Sequence, residues 1–407
     1  MLRLPMSLVR RSVLISLLLG LVSCSTVPPE SSEAPGKTAQ PVEQQQPALP
    51  RTEVGATLQP SSFAALPGWG VDRQNEAWPA FTASCSVLIR RPDWKEVCAA
   101  ARNVNGSDAE AVRVFFETNF TPYQVANADG SQNGLVTGYY EPLLRGARKR
   151  GGLYQTPLYR APTDLLAIDL ANVYPELKGL RLRGRLVGKK VVAYPSRAEL
   201  MQSGELVGKE ILWVDDPIEA FFLQVQGSGR VQLAGSNEIV RLAYENQNGW
   251  PYKSIGRYLV DKGELTLDQA SMQNIRAWVL ANPERQQELL NANPSYVFFR
   301  EEKVTDPAVG PKGALGVPLT PQRSIAVDPQ FIPLGVPVFL ATTQPNSKVL
   351  LQRLVMAQDT GGAIKNAVRA DYFWGFGAQA GELAGRMKQR GMMWVLLPRN
   401  VAVGSVK

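Results

Sequence analysis

The spacing of apolar residues predicts helices in the middle of the chain. Asp216 precedes a proline at a first helical position, and Gly227 ends the segment. The apolar face of this helix is formed by Ile218, Phe221, Phe222 and Val225. A capping-box pattern at Ser107–Glu110 predicts another helix, and further helices are expected at 254–262 and 266–281.

Short apolar runs separated by glycine and proline predict β-strands on both sides of this helical region. The runs are 135–140, 154–159, 296–299, 325–327, 336–340, 349–351, 354–357 and 393–397. The pattern therefore predicts a mainly β protein that is interrupted by a segment of different character.

The N-terminal 23 residues have the layout of a secretory signal peptide. Three arginines precede an apolar run at 13–22, which is too short to span a membrane. The run ends at Cys24 in a sequence that resembles the bacterial lipoprotein box, and Ser25 resembles the pattern sorted to the outer membrane of a Gram-negative bacterium. We therefore expect an exported protein with a lipid on Cys24. An ordinary signal peptide followed by a chance cysteine is the alternative.

Residues 24–62 are rich in proline, serine and glutamine, which predicts a flexible tether between the lipid and the folded part. Two further cysteines, Cys85 and Cys98, remain in a compartment that permits disulfides. We expect them to be bonded to each other.

Composition narrows the chemistry that this chain can perform. The 407 residues include no histidine, which excludes Ser-His-Asp and Cys-His catalysis and histidine-ligated zinc. The net charge is +8, with basic clusters at 145–150 and 181–190. These clusters lack interleaved aromatic residues in an exported chain, so they favour acidic wall peptides or anionic lipid over nucleic acid.

Two aspartates flank a glycine pair and form the strongest candidate for catalysis. Asp359 ends an apolar run, and Gly361 and Gly362 would allow the chain to reverse so that Asp371 returns close to it. Two nearby carboxyl groups push their pKa values apart, and an aromatic wall that includes Trp374 would raise one of them. A carboxylic acid that stays protonated near neutral pH can protonate a glycosidic oxygen.

Six motifs now make a family resemblance specific. In chain order they are Thr137-Gly-Tyr-Tyr-Glu-Pro142, Gln226-Gly-Ser-Gly229, Asn248-Gly-Trp-Pro-Tyr-Lys-Ser-Ile-Gly256, Ser324-Ile-Ala-Val-Asp328, Ala357-Gln-Asp-Thr-Gly-Gly-Ala-Ile-Lys365 and Asp371-Tyr-Phe-Trp-Gly-Phe-Gly377. They resemble the membrane-bound lytic murein transglycosylase A family from about residue 63 to about residue 398. The C-terminal part is similar to a module named for three aspartates, here Asp328, Asp359 and Asp371.

The resemblance implies a double-psi β-barrel with an inserted α/β domain and a substrate groove between the two. The barrel would comprise residues 63–150 and 296–400, and the insertion residues 151–295. It also implies that Asp371 is catalytic, that Asp359 supports it, and that neither a metal nor an organic cofactor is needed. Asp328 is interpreted as structural.

Members of this family cleave the bond between N-acetylmuramic acid and N-acetylglucosamine in peptidoglycan without water. Asp371 would act first as an acid and then as a base, closing a 1,6-anhydro ring. A water-using muramidase and a noncatalytic wall-binding lipoprotein remain alternatives. Proteins of a wall-synthesis complex are further candidate partners.

Other residues are predicted to contact the glycan. One of Tyr139 and Tyr140 would face the groove, because neighbouring strand residues point to opposite sides. Amide, hydroxyl and exposed backbone groups suit N-acetyl groups at Gln226, Gly227, Ser228 and Gly229. Lys365 and Trp374 complete the predicted substrate-binding set, whereas Glu141 is expected to be solvated or ion-paired and not a second acid.

Overall fold

The computed structural model describes residues 57–177, 180–304 and 306–401. The predicted signal peptide, Cys24 and the tether up to residue 56 lie outside the described residues. Within the described ranges, no helix is both long and apolar enough to cross a membrane.

The described residues form nine α-helices and seventeen strands, numbered here in chain order. The strands are β1 Thr57–Pro60, β2 Phe120–Ala126, β3 Gly134–Glu141, β4 Leu143–Ala147, β5 Thr156–Tyr159, β6 Leu166–Ala167, β7 Arg183–Val187, β8 Lys190–Ala193, β9 Glu210–Val214, β10 Ser228–Leu233, β11 Ile239–Gln247, β12 Val297–Lys303, β13 Ser324–Val327, β14 Pro337–Thr343, β15 Leu350–Asp359, β16 Arg369–Phe376 and β17 Lys388–Pro398. The helices are α1 Trp78–Leu88, α2 Pro92–Ala100, α3 Ala109–Asn119, α4 Arg197–Ser203, α5 Pro217–Gln226, α6 Ile255–Asp261, α7 Met272–Ala281, α8 Gln286–Asn291 and α9 Gly377–Arg386.

Six strands of the largest sheet close into a ring. They pair in the order β17-β14-β15-β13-β16-β3, and β3 pairs again with β17. β2 adds to β17 on the outside and β1 adds to β2. Because the ring closes, its six strands leave no unpaired sheet edge among themselves.

A large apolar core fills this ring and continues under the first three helices. Phe339 and Trp394 of the ring pack against each other, while Phe81 and Phe116 from α1 and α3 pack against Phe120. The disulfide between Cys85 and Cys98 joins α1 to α2 beside this core.

β1 corrects the prediction that residues 24–62 are a flexible tether throughout. Leu58 is buried and pairs with Val125 of β2, so the last part of the predicted tether belongs to the folded sheet. One buried leucine within a polar segment was too weak a signal to predict a strand.

A second sheet occupies the middle of the chain, where the apolar pattern predicted mainly helices. Its strand order is β12-β11-β10-β4-β9-β5, and a small third sheet has the order β6-β7-β8. The prediction of a helical middle region was therefore incomplete. The strands at its two borders, β4 and β12, both belong to the second sheet.

Helix ends follow their capping residues. α5 begins after Asp216, which accepts hydrogen bonds from two backbone amides, and it ends at Gly227 in a left-handed conformation. Before α3 the cap is Asp108 and not Ser107. The helix predicted at 266–281 begins only at Met272, because Leu267–Gln269 forms a separate 3-10 turn.

Candidate active site

One residue of β13 brings the two candidate aspartates together. Ala326 is the register partner of Asp359 on β15 and of Asp371 on β16. Partners across neighbouring strands project to the same face, so both carboxyl groups lie on one side of the sheet, two strand spacings or about 10 Å apart at Cα. The small alanine between them is buried in an apolar cluster with Tyr139 and Phe373.

Asp371 accepts a hydrogen bond from a neighbouring threonine. Thr137 Oγ1 lies 2.6 Å from Asp371 Oδ1, and Arg369 Nη2 donates to the same hydroxyl at 2.8 Å. Burial raises the pKa of the Asp371 carboxyl, while the positive charge of Arg369 and the Thr137 hydrogen bond act in the lowering direction. Asp371 therefore keeps its proton to higher pH than an ordinary aspartic acid.

Asp359 is held by three donors. Its Oδ1 accepts hydrogen bonds from the backbone amides of Ala314 and Thr360, both at 2.9 Å, and its Oδ2 accepts one from the Tyr139 hydroxyl at 3.1 Å. Burial raises the pKa of Asp359, and these three hydrogen bonds oppose that rise. The side chain also fastens the segment around Ala314 to the end of β15.

The two tyrosines of β3 lie on opposite faces of the sheet. Tyr139 is on the side of the aspartates and packs its ring 5.1 Å from that of Phe373. Tyr140 is on the other side, where its ring lines a cavity of about 220 Å³ against Ile218 and Gly381. Of the pair, Tyr139 is therefore the one on the active-site face, and Tyr140 is not in a position to bind there.

Trp374 requires a correction. The sequence placed it beside the substrate, but its ring is buried in the barrel core, 5.0 Å from Tyr372, and its Nε1 donates to Met387 Sδ. Strand alternation along β16 turns Trp374 away from the face that carries Asp371. Phe373 supplies the aromatic wall instead.

Glu141 is neither solvated nor part of this face. Its side chain is fully enclosed and forms ion pairs with Arg230 and Arg241, at 2.8 Å and 2.5 Å. Arg145, the neighbour considered from the sequence, pairs with Asp215. The Glu141 carboxylate thus ties the end of β3 to β10 and β11.

Asp328 organises the loop that follows Asp359. Its Oδ2 accepts a hydrogen bond from the backbone amide of Asn366, and its Oδ1 accepts one from Gln330. The predicted turn at the glycine pair is present, since Ile364 N donates to Gly361 O at 3.1 Å, and the positive φ of 95° occurs further on, at Asn366. Lys365 precedes it and is exposed.

The predicted glycan-binding segment after α5 lies against β3. Gln226 Oε1 accepts a hydrogen bond from the backbone amide of Tyr140, and Gln226, Gly227 and Ser228 are partly exposed. Gly229 is buried, and a Cβ there would lie 3.1 Å from Pro142 Cγ. This glycine therefore serves close packing and cannot present its backbone to a ligand.

Thr137 and Arg369 were missed as site residues by the sequence reasoning. Thr137 opens one of the six motifs and Arg369 lies two positions before Asp371, so the signal was present, but only the pairing of β3 with β16 joins them. Among the described residues, no group of three or more cysteine, aspartate or glutamate side chains is arranged to hold a metal ion. The arrangement offers proton transfer by one partly buried carboxyl group, that of Asp371.

Two family models and a characterised relative match this chain. Residues 135–300 match the MltA specific insert domain, and residues 323–397 match the 3D domain. The membrane-bound lytic murein transglycosylase A of Escherichia coli strain K12 is 34% identical over 299 residues, which is 72% of this chain and 72% of that protein.

Solved structures extend the similarity to the fold. MltA from Neisseria gonorrhoeae is 40% identical with a TM-score of 0.73, covering 86% of this chain and 94% of its own. E. coli MltA with bound chitohexaose is 28% identical with a TM-score of 0.62, covering 88% and 99%. The mainly β architecture with several sheets is shared with these proteins, and the chain belongs to the membrane-bound lytic murein transglycosylase A family.

Proposed function

We propose that this protein is a lytic transglycosylase that cleaves the β-1,4 bond between N-acetylmuramic acid and N-acetylglucosamine in peptidoglycan. The observation that carries the proposal is the position of Asp371: a partly buried carboxyl group with a raised pKa, on a sheet face shared with Asp359 and Tyr139. A relative from E. coli was solved with chitohexaose, a β-1,4-linked N-acetylglucosamine oligomer, which supports a glycan as substrate.

Asp371 supplies the proton for bond cleavage. Its Oδ1 is engaged by Thr137, whereas its Oδ2 has no hydrogen-bond partner within the described part of the chain. Oδ2 is thus the oxygen that carries the proton toward the glycosidic oxygen. The bond from the anomeric carbon to that oxygen breaks as the oxygen takes the proton and positive charge develops on the sugar.

The resulting carboxylate then serves as the base. It takes the proton from the C6 hydroxyl of the muramic acid, whose oxygen bonds to the anomeric carbon and closes the 1,6-anhydro ring. The Thr137 hydrogen bond and the charge of Arg369 stabilise Asp371 in this ionised state. The acid is regenerated, and no water or second carboxylate is consumed.

The contacts of Asp359 favour this route over hydrolysis. A hydrolase uses its second carboxylate to activate water or attack the sugar. Both oxygens of Asp359 already accept hydrogen bonds, two from backbone amides and one from Tyr139. We assign Asp359 a positioning role, in which it holds Tyr139 and the segment at Ala314 beside Asp371.

The closed six-stranded ring supports its assignment as a double-psi β-barrel, with the second sheet as the inserted domain. Because β4 and β12 belong to that sheet, we place the insertion at about 143–303. Gln226, Ser228 and Lys365 are assigned to glycan contacts on their exposure. We further propose that Cys24 is acylated and holds the protein at the periplasmic face of the outer membrane.

The products of purified sacculus digestion test the reaction. Wild-type protein should release muropeptides that end in 1,6-anhydromuramic acid, which mass spectrometry distinguishes from reducing ends by the loss of one water. Reducing ends as the main product would replace the proposal by the muramidase alternative. Release of no soluble muropeptide would leave a noncatalytic wall-binding protein.

Three substitutions assign the roles. Asp371→Asn should abolish product release while sacculus binding persists, and Asp359→Asn should lower the rate without changing the product. Asp129→Asn, at an exposed aspartate of the loop between β2 and β3, is the matched control and should leave the rate unchanged. Full activity of Asp371→Asn would remove this residue from the mechanism.

A further inference from the structure

The three-stranded sheet β6-β7-β8 has one apolar face that is exposed at Leu166, Leu186 and Val191, while the Ile168 side chain lies next to Gly184 at its centre. Register pairs Leu166 with Gly184, Gly184 with Ala193, and Leu186 with Val191. Cross-strand partners share a face, and positions two apart along a strand do so as well. These five residues therefore form one face, called here the outer face, which carries no charged side chain.

The opposite face of this sheet packs on the body of the protein. Arg183 Nε donates to Asn246 Oδ1 at 2.7 Å, and Arg185 Nη1 donates to Glu205 Oε2 at the same distance. The Arg185 guanidinium also lies over the Tyr194 ring at 5.9 Å. Because these polar anchors hold the inner face, the outer face is directed away from the protein.

The outer face is exposed to an unusual degree for leucine and valine. Leu166, Leu186 and Val191 are 39%, 62% and 54% accessible. Val173 and Tyr174, which follow β6 in the chain, are 70% and 50% accessible. Contiguous exposed apolar residues of this kind mark interaction surfaces, whereas scattered ones do not.

The β7–β8 hairpin carries charge of a single sign. Residues 180–193 contain five lysines and arginines and no acidic residue. Lys189, in the turn, and Lys190, which pairs with Val187 on the opposite face, are both exposed at the tip of this hairpin. An apolar surface edged by lysines is typical of segments that rest on anionic lipid, where each nearby cation adds to the attraction.

We propose that the outer face of β6-β7-β8 contacts an anionic phospholipid surface, with Leu186 and Val191 at the acyl boundary and Lys189 and Lys190 at the headgroups. This contact is separate from the lipid on Cys24 and from the reaction at Asp371. It would orient the folded part relative to the membrane, which a flexible linker alone does not do.

The composition of the face favours lipid over a protein partner. Protein interfaces concentrate their binding energy in tryptophan, tyrosine and arginine, and leucine and valine are under-represented there. The outer face consists of aliphatic and small residues only.

A fluorescent label on the membrane-anchored full-length protein tests the contact. Val191→Cys provides one reactive thiol, since Cys24 is acylated and the other two cysteines are bonded. The fluorescence emission of an environment-sensitive dye at this position should shift to shorter wavelength in vesicles that contain phosphatidylglycerol. Brominated acyl chains in those vesicles should quench it. Leu280→Cys, at a 72% exposed position of α7, is the matched control and should show neither effect.

Charge reversal completes the test. Adding Lys189→Glu and Lys190→Glu should lower the fraction of quenched label at least about tenfold. A label at 191 that stays as water-exposed as the label at 280 overturns the proposal. A dye at 191 that is shielded from water only in native envelope membranes, and not in phospholipid vesicles, overturns the proposal in favour of a protein partner. A dye that becomes shielded as protein concentration rises without lipid overturns it in favour of self-association.

Two measurements show whether an exposed label reflects a missing lipid contact or a protein that is not acylated or not folded. Intact mass reports whether Cys24 is acylated, and muropeptide release by each labelled variant reports correct folding. A sample that is acylated and active yet shows an exposed label at 191 counts directly against the proposal.

Discussion

Glu141→Gln should destabilise the protein strongly without removing its activity. The Glu141 carboxylate is fully enclosed and accepts hydrogen bonds from Arg230 Nε at 2.8 Å and from Arg241 Nε at 2.5 Å. Both arginines also donate to backbone carbonyls, at 2.8 Å to Pro307 and at 2.7 Å to Val309. The neutral amide would leave two buried cations without their counterion.

The size of the expected loss in unfolding free energy follows from the burial of Glu141. Removing one partner of a buried ion pair costs about 3–5 kcal/mol, because the remaining charge stays buried and uncompensated. Arg230 and Arg241 keep their carbonyl acceptors and are slightly exposed, at 10% and 8% of their side chains. We therefore expect a loss near the lower limit, about 3 kcal/mol of unfolding free energy.

Guanidinium denaturation monitored by tryptophan fluorescence measures this loss. The matched control is Glu238→Gln, whose carboxylate is exposed and lies 3.4 Å from Arg148, and which should cost at most about 1 kcal/mol. At a temperature where both variants are folded, muropeptide release should match wild type. A Glu141→Gln protein that is as stable as wild type but inactive would refute the structural role and indicate a second catalytic acid.

Three further predictions address the site and the core. Thr137→Val removes a hydrogen bond that favours ionised Asp371, so the pKa of Asp371 should rise further. The fall of kcat/KM at high pH should then begin at a higher pH. Thr137→Ser keeps the hydroxyl and should leave the pH profile unchanged. Replacing Cys85 and Cys98 by alanine should lower the unfolding free energy by about 2–3 kcal/mol, measured by denaturant titration against disulfide-bonded wild type. Gly229→Ala should cost about 1–3 kcal/mol in the same assay, because its Cβ would lie 2.2 Å from a buried leucine methyl group.

Local signals in the sequence were sufficient to predict several secondary-structure elements. α5 follows its capping aspartate, its first-turn proline and its terminal glycine, all of which act within a few residues. The candidate pair Asp359 and Asp371 was also visible, because polar residues bracketing a short turn between apolar runs stand out locally. Because the whole sequence contains no histidine, carboxyl groups became the main candidates for proton transfer.

The strands of the inserted sheet were harder to predict. β10 and β11 pair with each other, but β10 also pairs with β4, more than eighty residues earlier in the chain. Such pairings are stabilised by partners distant in sequence, and a short strand of mixed composition shows little periodicity of its own. Helix signals dominated the middle region for that reason.

The sequence by itself determined the local elements, the excluded chemistries and the identity of the candidate carboxyl groups. Tertiary structure alone decided that Ala326 separates Asp359 from Asp371 and that Thr137 contacts Asp371. It also decided that Trp374 faces the core. The physical reason is that strand alternation defines two faces, whereas strand pairing and ring closure decide which face meets the core and which meets the substrate.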